Sequence, residues 1–404
     1  MALTETINFN STERVMDGWY WALRSRDVKR GRVKPVTLLG RELAVYRTDS
    51  GKAVAVDAYC PHMGAHLAEG SVDGEALRCF FHHWKFEQDG RCSEAPQLAQ
   101  PPAACIATHV VEERYGLIWI WVGAGEPQPM PEVPELRGEE VDWSHGNTFI
   151  KDCHPNVVMI NAIDAHHFNS VHNLPVELEF AVEAEDARTL HFANTTRVPE
   201  TRALTRFISR FYEGPLTYKM CYWSASTGTV SIGPDFMHFH IMFALRMVEG
   251  GKTEGQTILI TRRRPGLTGK LFNAVTLFAT KIVGNYFAKG DTQIFRTIRF
   301  NFATPTKADR SIIDFIQHAE AQPAVSLGDW RRCVPADSAS AAESGAEPTE
   351  TVADQPLEVG DELPIDGSLD ARETPEGSDK PAPSSEPSRP ELVSSGAPAR
   401  TSES

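Results

Sequence analysis

Hydrophobic and polar positions change their spacing several times along the chain. Short apolar runs fill the first part: 36–39 and 42–47 are divided by Gly40, and Asp49-Ser50-Gly51 turns into 53–56. Leu117-Ile-Trp-Ile-Trp-Val122 is rich in β-branched and aromatic residues and predicts a strand. Pro127, Pro129, Pro131 and Pro134 follow closely and mark a domain boundary. Further on, Met237, Phe239, Ile241, Phe243, Leu245 and Met247 occupy alternate positions within 236–248. That is one face of a strand, antiparallel in character, with the face on a core. Residues 249–252 predict a turn into a partner strand over 257–263, and 271–287 predicts a helix. Together these elements predict an α+β domain built on a curved antiparallel sheet.

Composition changes the picture only at the end of the chain. From Val334 to Ser404 there are 16 acidic residues against 4 basic ones, ten of the 27 prolines and no aromatic residue. Such a segment buries too little apolar surface to offset ordering entropy and predicts a disordered acidic Pro/Ser/Glu-rich tail. The formal net charge of −14 therefore falls to −2 over residues 1–333. That balance argues against a nucleic-acid partner, which selects a basic face. The start of the chain does not read as a signal peptide, and no apolar run is long enough to span a bilayer, so a cytoplasmic location is expected. Seven cysteines, an odd number scattered along the chain, argue for metal ligation over a disulfide framework.

The first cluster of chemistry is Cys60-Pro61-His62 with Cys79-Phe80-Phe81-His82, a C-x-H and a C-x-x-H. Two thiolates and two imidazoles can hold zinc or a Rieske [2Fe–2S] cluster. Structural zinc sites pair like ligands at short spacing, whereas each short pair here is mixed, which favours the cluster. His83 is excluded by spacing, and His66 and Cys92 are expected to be structural. The second is Asn161-x-x-Asp164-x-x-His167-x₄-His172. Two imidazoles and a carboxylate make the facial triad of a non-haem Fe(II) oxygenase, with positions left open for O₂. On a regular helix His167 and His172 would point about 140° apart. A π-bulge or a helix end is therefore expected within 168–171.

The stretch from Cys60 to Cys92, with its CPHxG and CxxH loops, Trp84, Phe86 and Asp89-Gly90, resembles the Rieske domain of the Rieske non-haem iron oxygenases. It departs from that family at Phe80, where Pro is common, and at His83, where Gly is common. The resemblance runs from Asp17 to about Arg332. It implies a Rieske domain over 17–126, a helix-grip-like catalytic domain over 135–332, and the tail over 334–404. It puts the cluster on Cys60, His62, Cys79 and His82, and the mononuclear iron on His167 and His172, with His166 as the rival to His167. Gly290-Asp291 resembles the family segment that carries the third ligand; Asp235 is the alternative. Asp164 matches the carboxylate linking the metal sites of neighbouring subunits, where it would accept from a ligand imidazole, and Asn161 a residue near the iron. The resemblance further implies a homotrimer and electrons from NAD(P)H through a separate flavin or ferredoxin reductase. The substrate would be hydrophobic, steroid- or sterol-like, as in the ketosteroid hydroxylase and cholesterol desaturase branch, with methyl oxidation included. An oxygenase for an aromatic compound and a Rieske electron carrier are the alternatives.

Overall fold

The computed structural model describes residues 6–172, 179–197, 214–224, 227–234 and 237–330. The expected tail over 334–404 and the alternative ligand Asp235 lie outside the described residues.

The fold is α+β and its paired strands are antiparallel. The first part is built from small sheets. Arg32–Leu38, Arg41–Arg47, Ala53–Asp57 and Thr108–His109 form one, and Gly18–Arg24, Leu117–Val122 and Val111–Arg114 a second. Between them, Ser71–Asp73, Ala76–Arg78, Lys85–Phe86 and Cys92–Glu94 form a small meander. Leu117–Val122 is buried at every position, because alternate residues enter different cores. Ile118, Ile120 and Val122 pack with Val45 and Leu43, while Trp119 and Trp121 pack with Trp19 and Trp21.

The second part is a seven-stranded sheet. Its order is Val141–Lys151, Lys252–Arg262, Phe239–Val248, Thr227–Pro234, Pro215–Trp223, Thr189–Arg197 and Ala181–Ala184. Among the described residues four helices accompany it: α1 (Pro155–Ile160), α2 (Ala165–Ser170), α3 (Gly266–Thr297) and α4 (Arg310–Ala321).

Phe239–Val248 carries the alternation read from the sequence, but both of its faces are covered. Leu245 enters the core with Phe168, Tyr218 and Phe315, with Phe243 packed against it. Met242 and Ala244, on the other face, pack against the tryptophans of the first part. Arg246 holds the same contact from the edge, donating to the carbonyls of Trp21 and Ala22 and lying 4.1 Å over the Trp21 ring. The N-terminal arm belongs to the second part: Phe9 is fully buried there, and its backbone N–H donates to Glu320 on α4.

Candidate metal centres and cavity

The cluster motif falls on two loops, as its strand-flanked position requires. Cys60 to His62 follow Ala53–Asp57, and Cys79 to His82 join Ala76–Arg78 to Lys85–Phe86. Backbone bonds set both loops. Cys60 N–H donates to Ala65 O and Gly64 N–H to Cys60 O, both at 2.9 Å, and Cys79 N–H donates to Trp84 O at 2.9 Å. Gly64, at φ 73°, supplies the left-handed turn. His83 also sits left-handed at φ 59°, which accounts for the glycine common there in the family it resembles.

The sulfurs lie inside and the imidazoles outside. Cys60 and Cys79 are buried and their thiols interact. Burial pushes the Cys60 thiol up to about 11, against backbone N–H groups of His62 and Met63 that favour the thiolate. His62 and His82 stand edge to face with ring centroids 4.6 Å apart, and His62 is stacked on Trp84 at 4.4 Å. A buried thiol pair beside an outer imidazole pair fits a two-iron cluster with sulfur ligands on one iron and nitrogen on the other. His66 is turned away as a cap: its Nδ1 accepts from Ala68 N–H and its ring meets Tyr59.

The second constellation gathers residues far apart in sequence. His167 Nε2 lies 2.8 Å from His172 Nε2, and Asp291 Oδ1 lies 3.1 and 3.0 Å from those two nitrogens. Donor atoms held at right angles by bonds of about 2.1 Å stand about 3.0 Å apart, so the trio has the spacing of one face of an octahedron. All three groups are largely buried, and Asp291 Oδ1 has no well-directed hydrogen-bond donor. Burial raises the Asp291 carboxyl; the adjacent imidazoles of His167 and His172 together outweigh it and leave the group below its ordinary value. Among the described residues this is the one compact set of donors suited to a single ion.

Local geometry explains how the trio forms. Asp164 caps α2, its Oδ1 accepting from His166 and His167 N–H. The helix ends at Ser170, so His172 is released from the helical period and turns back onto His167. Asn161 Nδ2 lies 3.3 Å from His167 Nε2, while the rival His166 is exposed. Tyr218 Oη and Ser311 Oγ donate to the carbonyls of Ala162 and Ile163 and hold the turn between α1 and α2. Asp291 comes from α3, one residue after Gly290. A Cβ on Gly290 would lie 3.0–3.2 Å from Val171 and the His172 ring, so a side chain there would push His172. The sequence signal was the resemblance of Gly290-Asp291 to the family segment that carries the third ligand. Among the described residues the hydrogen bonds of Asp164 are these cap bonds; none reaches an imidazole.

A cavity of about 370 Å³ opens beside the trio. Its walls are apolar: Phe168, Met220, Val230, Ile241, Phe243 and Leu259 come from α2 and the sheet, and Phe287 and Phe295 from α3. Lys151 stands at its edge, donating to Thr292 Oγ1 at 3.0 Å and lying over the rings of Phe149 and Phe295. Burial lowers its pKa against the opposing pull of Asp291.

Comparison with known proteins bears on the first part of the chain and on the fold. Residues 18–111 match the Rieske [2Fe-2S] domain. Aminopyrrolnitrin oxygenase PrnD of Pseudomonas fluorescens is 34% identical over 179 residues, 42% of this chain and 49% of that protein. Cholesterol 7-desaturase nvd of Xenopus laevis is 40% identical over 164 residues, 39% of this chain and 36% of that one. The oxygenase component of a 3-ketosteroid-9-alpha-monooxygenase of Rhodococcus rhodochrous is 32% identical over 169 residues, 39% and 43% of the two chains. The matched stretch thus spans half or less of these relatives. Among solved structures, dicamba monooxygenase bound to dicamba superposes with a TM-score of 0.55 at 19% identity, covering 78% of this chain and 97% of that one. NdmB of Pseudomonas putida CBB5 gives 0.53 at 15%, covering 81% and 99%. The chain carries a Rieske [2Fe–2S] domain and has the Rieske oxygenase fold.

Proposed function

We propose that this chain is the oxygenase component of a Rieske oxygenase and oxidises an apolar, steroid- or sterol-like substrate with O₂. The observation that carries this reading is the convergence of His167, His172 and Asp291 on the wall of the apolar cavity. A Rieske electron carrier has no use for a second metal centre, and a zinc-stabilised module has no use for either. When bound, the cluster supplies single electrons and the ferrous iron activates O₂.

In this reading Cys60, His62, Cys79 and His82 hold the cluster, and His167, His172 and Asp291 hold the iron. The walls from Phe243 and Phe287 exclude water and bind the substrate by burying apolar surface. Lys151, Asn147 and Asn285 at the exposed edge orient its polar end. Relatives named for cholesterol and ketosteroids support a substrate of that class. Electrons come from NAD(P)H through a separate flavin or ferredoxin reductase.

Transfer between metals is assigned to neighbouring subunits of a homotrimer. His62 is exposed on the cluster loops, which also expose Tyr59, Met63, Phe80 and Phe81, each 49–65% exposed. Such an apolar collar suits the approach of another protein surface. Asp164 and Asn161, next to His167, form the receiving side.

Metal analysis with spectroscopy tests the assignment. The loaded protein is expected to hold about three irons per chain and to show a Rieske-type paramagnetic resonance signal when reduced. Cys79→Ser is expected to abolish that signal, because a hydroxyl holds iron poorly. His172→Ala and Asp291→Ala are each expected to keep the signal while losing the third iron and turnover. Normal turnover in either would remove the mononuclear site from the reading.

A further inference from the structure

Helix α3 has a covered inner face and an exposed apolar outer one. The inner face carries buried Gly269, Asn273, Thr276 and Thr280, then Phe287, Asp291 and Phe295 at the cavity. The outer face repeats Leu267, Leu271, Val275, Phe278 and Ile282 at spacings of three and four, which at 100° per residue confines them to an arc of about 80°. These residues are 56–85% exposed. The inner and outer faces lie on nearly opposite sides of the helix.

The charge around this stripe has one sign. From Thr261 to Gly290 the chain has six Lys and Arg and no Asp or Glu. Arg262 and Arg263 pair with Glu139, Glu140 and Asp142. Lys270, Lys281 and Lys289 are exposed and make no ion pair among the described residues. The excess acid of the chain falls after residue 333, outside the sequence of this helix. Lys281 and Asn285 also line the cavity, so the stripe runs alongside the cavity's exposed edge.

We infer that the outer face of α3 docks on an anionic lipid surface, the helix lying in the membrane plane. The stripe would enter the acyl boundary and the lysines would meet headgroup phosphates. No described helix is long and apolar enough to cross a membrane, and docking in the plane requires none. Pairing of this face with a second copy fits less well, because two acid-free faces would bring lysines together without a counter-charge. Given the proposed apolar substrate, the same contact brings the cavity edge to the phase in which that substrate dissolves.

Co-sedimentation of the full-length protein with vesicles tests the docking and reads no turnover, so its outcome is independent of the oxygenase reading. Vesicles of phosphatidylcholine with phosphatidylglycerol are expected to bind the protein, and phosphatidylcholine alone to bind it weakly. Lys270→Gln with Lys289→Gln should weaken anionic binding about fivefold per lysine. Leu271→Glu with Phe278→Glu, both at exposed positions, should abolish it and leave the circular dichroism and cluster absorbance unchanged. Absence of anionic vesicle binding, or wild-type binding by Leu271→Glu with Phe278→Glu, overturns the inference. So does analytical ultracentrifugation in which Phe278→Glu dissociates an oligomer, since the stripe would then be a contact between chains.

Discussion

At the scale of single residues, the proposed iron site depends on a side chain that is missing. Gly290 leaves the space that the His172 ring occupies, with Phe287, a turn earlier on α3, edge-on to that ring at 5.0 Å. Gly290→Ala is a good helix residue and should not disturb α3 itself. It should displace His172 and weaken mononuclear iron retention by about tenfold or more, the usual effect of disturbing the support of a metal ligand. Iron analysis against the cluster absorbance measures this; full iron content in the variant would show that His172 has room to move. A second residue makes a pH prediction. His154 caps α1 through Nδ1 and donates from Nε2 to Ser11 O, so it is neutral, and burial lowers its pKa from 6.5 to about 4. Between those values the unfolded chain binds a proton that the folded one refuses. Stability should therefore fall as pH drops from about 6.5 to 4, by up to about 3 kcal/mol, and not change further below that through this group. Denaturant melts at pH 7 and pH 5 should show a smaller difference in His154→Asn than in the wild type.

At the scale of elements, the short helix α2 carries the load. Its N-cap is Asp164 and its C-terminal end frees His172. Asn caps as well as Asp, so Asp164→Asn should keep both metals, whereas Asp164→Ala should lose about 1 kcal/mol and loosen His167. If Asp164 also receives the electron, single-turnover reoxidation of the reduced cluster should collapse in Asp164→Asn despite full iron content. Wild-type reoxidation in that variant would confine Asp164 to capping. The break between His167 and His172 was legible beforehand, because the five-residue spacing forbids a continuous helix. Strand 117–122 was legible too, since branched and aromatic residues admit little else. Other features were not. The alternation in Phe239–Val248 correctly marked a cavity-facing side, but Met242 and Ala244 look like a solvent face until the tryptophans of the first part are placed over them. Helix α3 is 32 residues long and runs past both ends of the apolar stretch 271–287, through Gly269 and Gly290, whose close packing against Arg264 and His172 is not written in the local pattern. The strand expected over 257–263 begins at Lys252, directly after a turn at Gly250 and Gly251. The burial of Phe9 depends on contacts with α4 more than 300 residues away, which local pattern does not encode.

At the scale of the whole molecule, the question is whether the two metal centres of one chain serve each other. The cluster loops present His62 and its apolar collar outward, while His167 is buried beside Asn161 at the wall of the cavity. An exposed cluster loop and a buried iron trio are compatible with the proposed ring, in which each chain would donate to the next. Mixing two inactive chains decides this. Under the proposed assignments Cys79→Ser should retain the iron site without a cluster, and His172→Ala should retain the cluster without the iron. Either alone should form an inactive trimer. Co-expressed in equal amounts, they should assemble at random, and about a quarter of the junctions would join an intact cluster to an intact iron across a boundary. Turnover per chain should then recover to about a quarter of the wild-type value. It should appear only when the chains are assembled together, not when separately folded trimers are mixed. Transfer within a chain gives a different result: every chain lacks one of its two centres, so no mixture recovers activity whatever its assembly state. Single-turnover product yield on the co-expressed protein, with each variant carrying a different affinity tag to isolate mixed trimers, separates the two cases. Absence of recovery in verified mixed trimers would place electron transfer inside one chain and leave the apolar collar at His62 to the reductase alone.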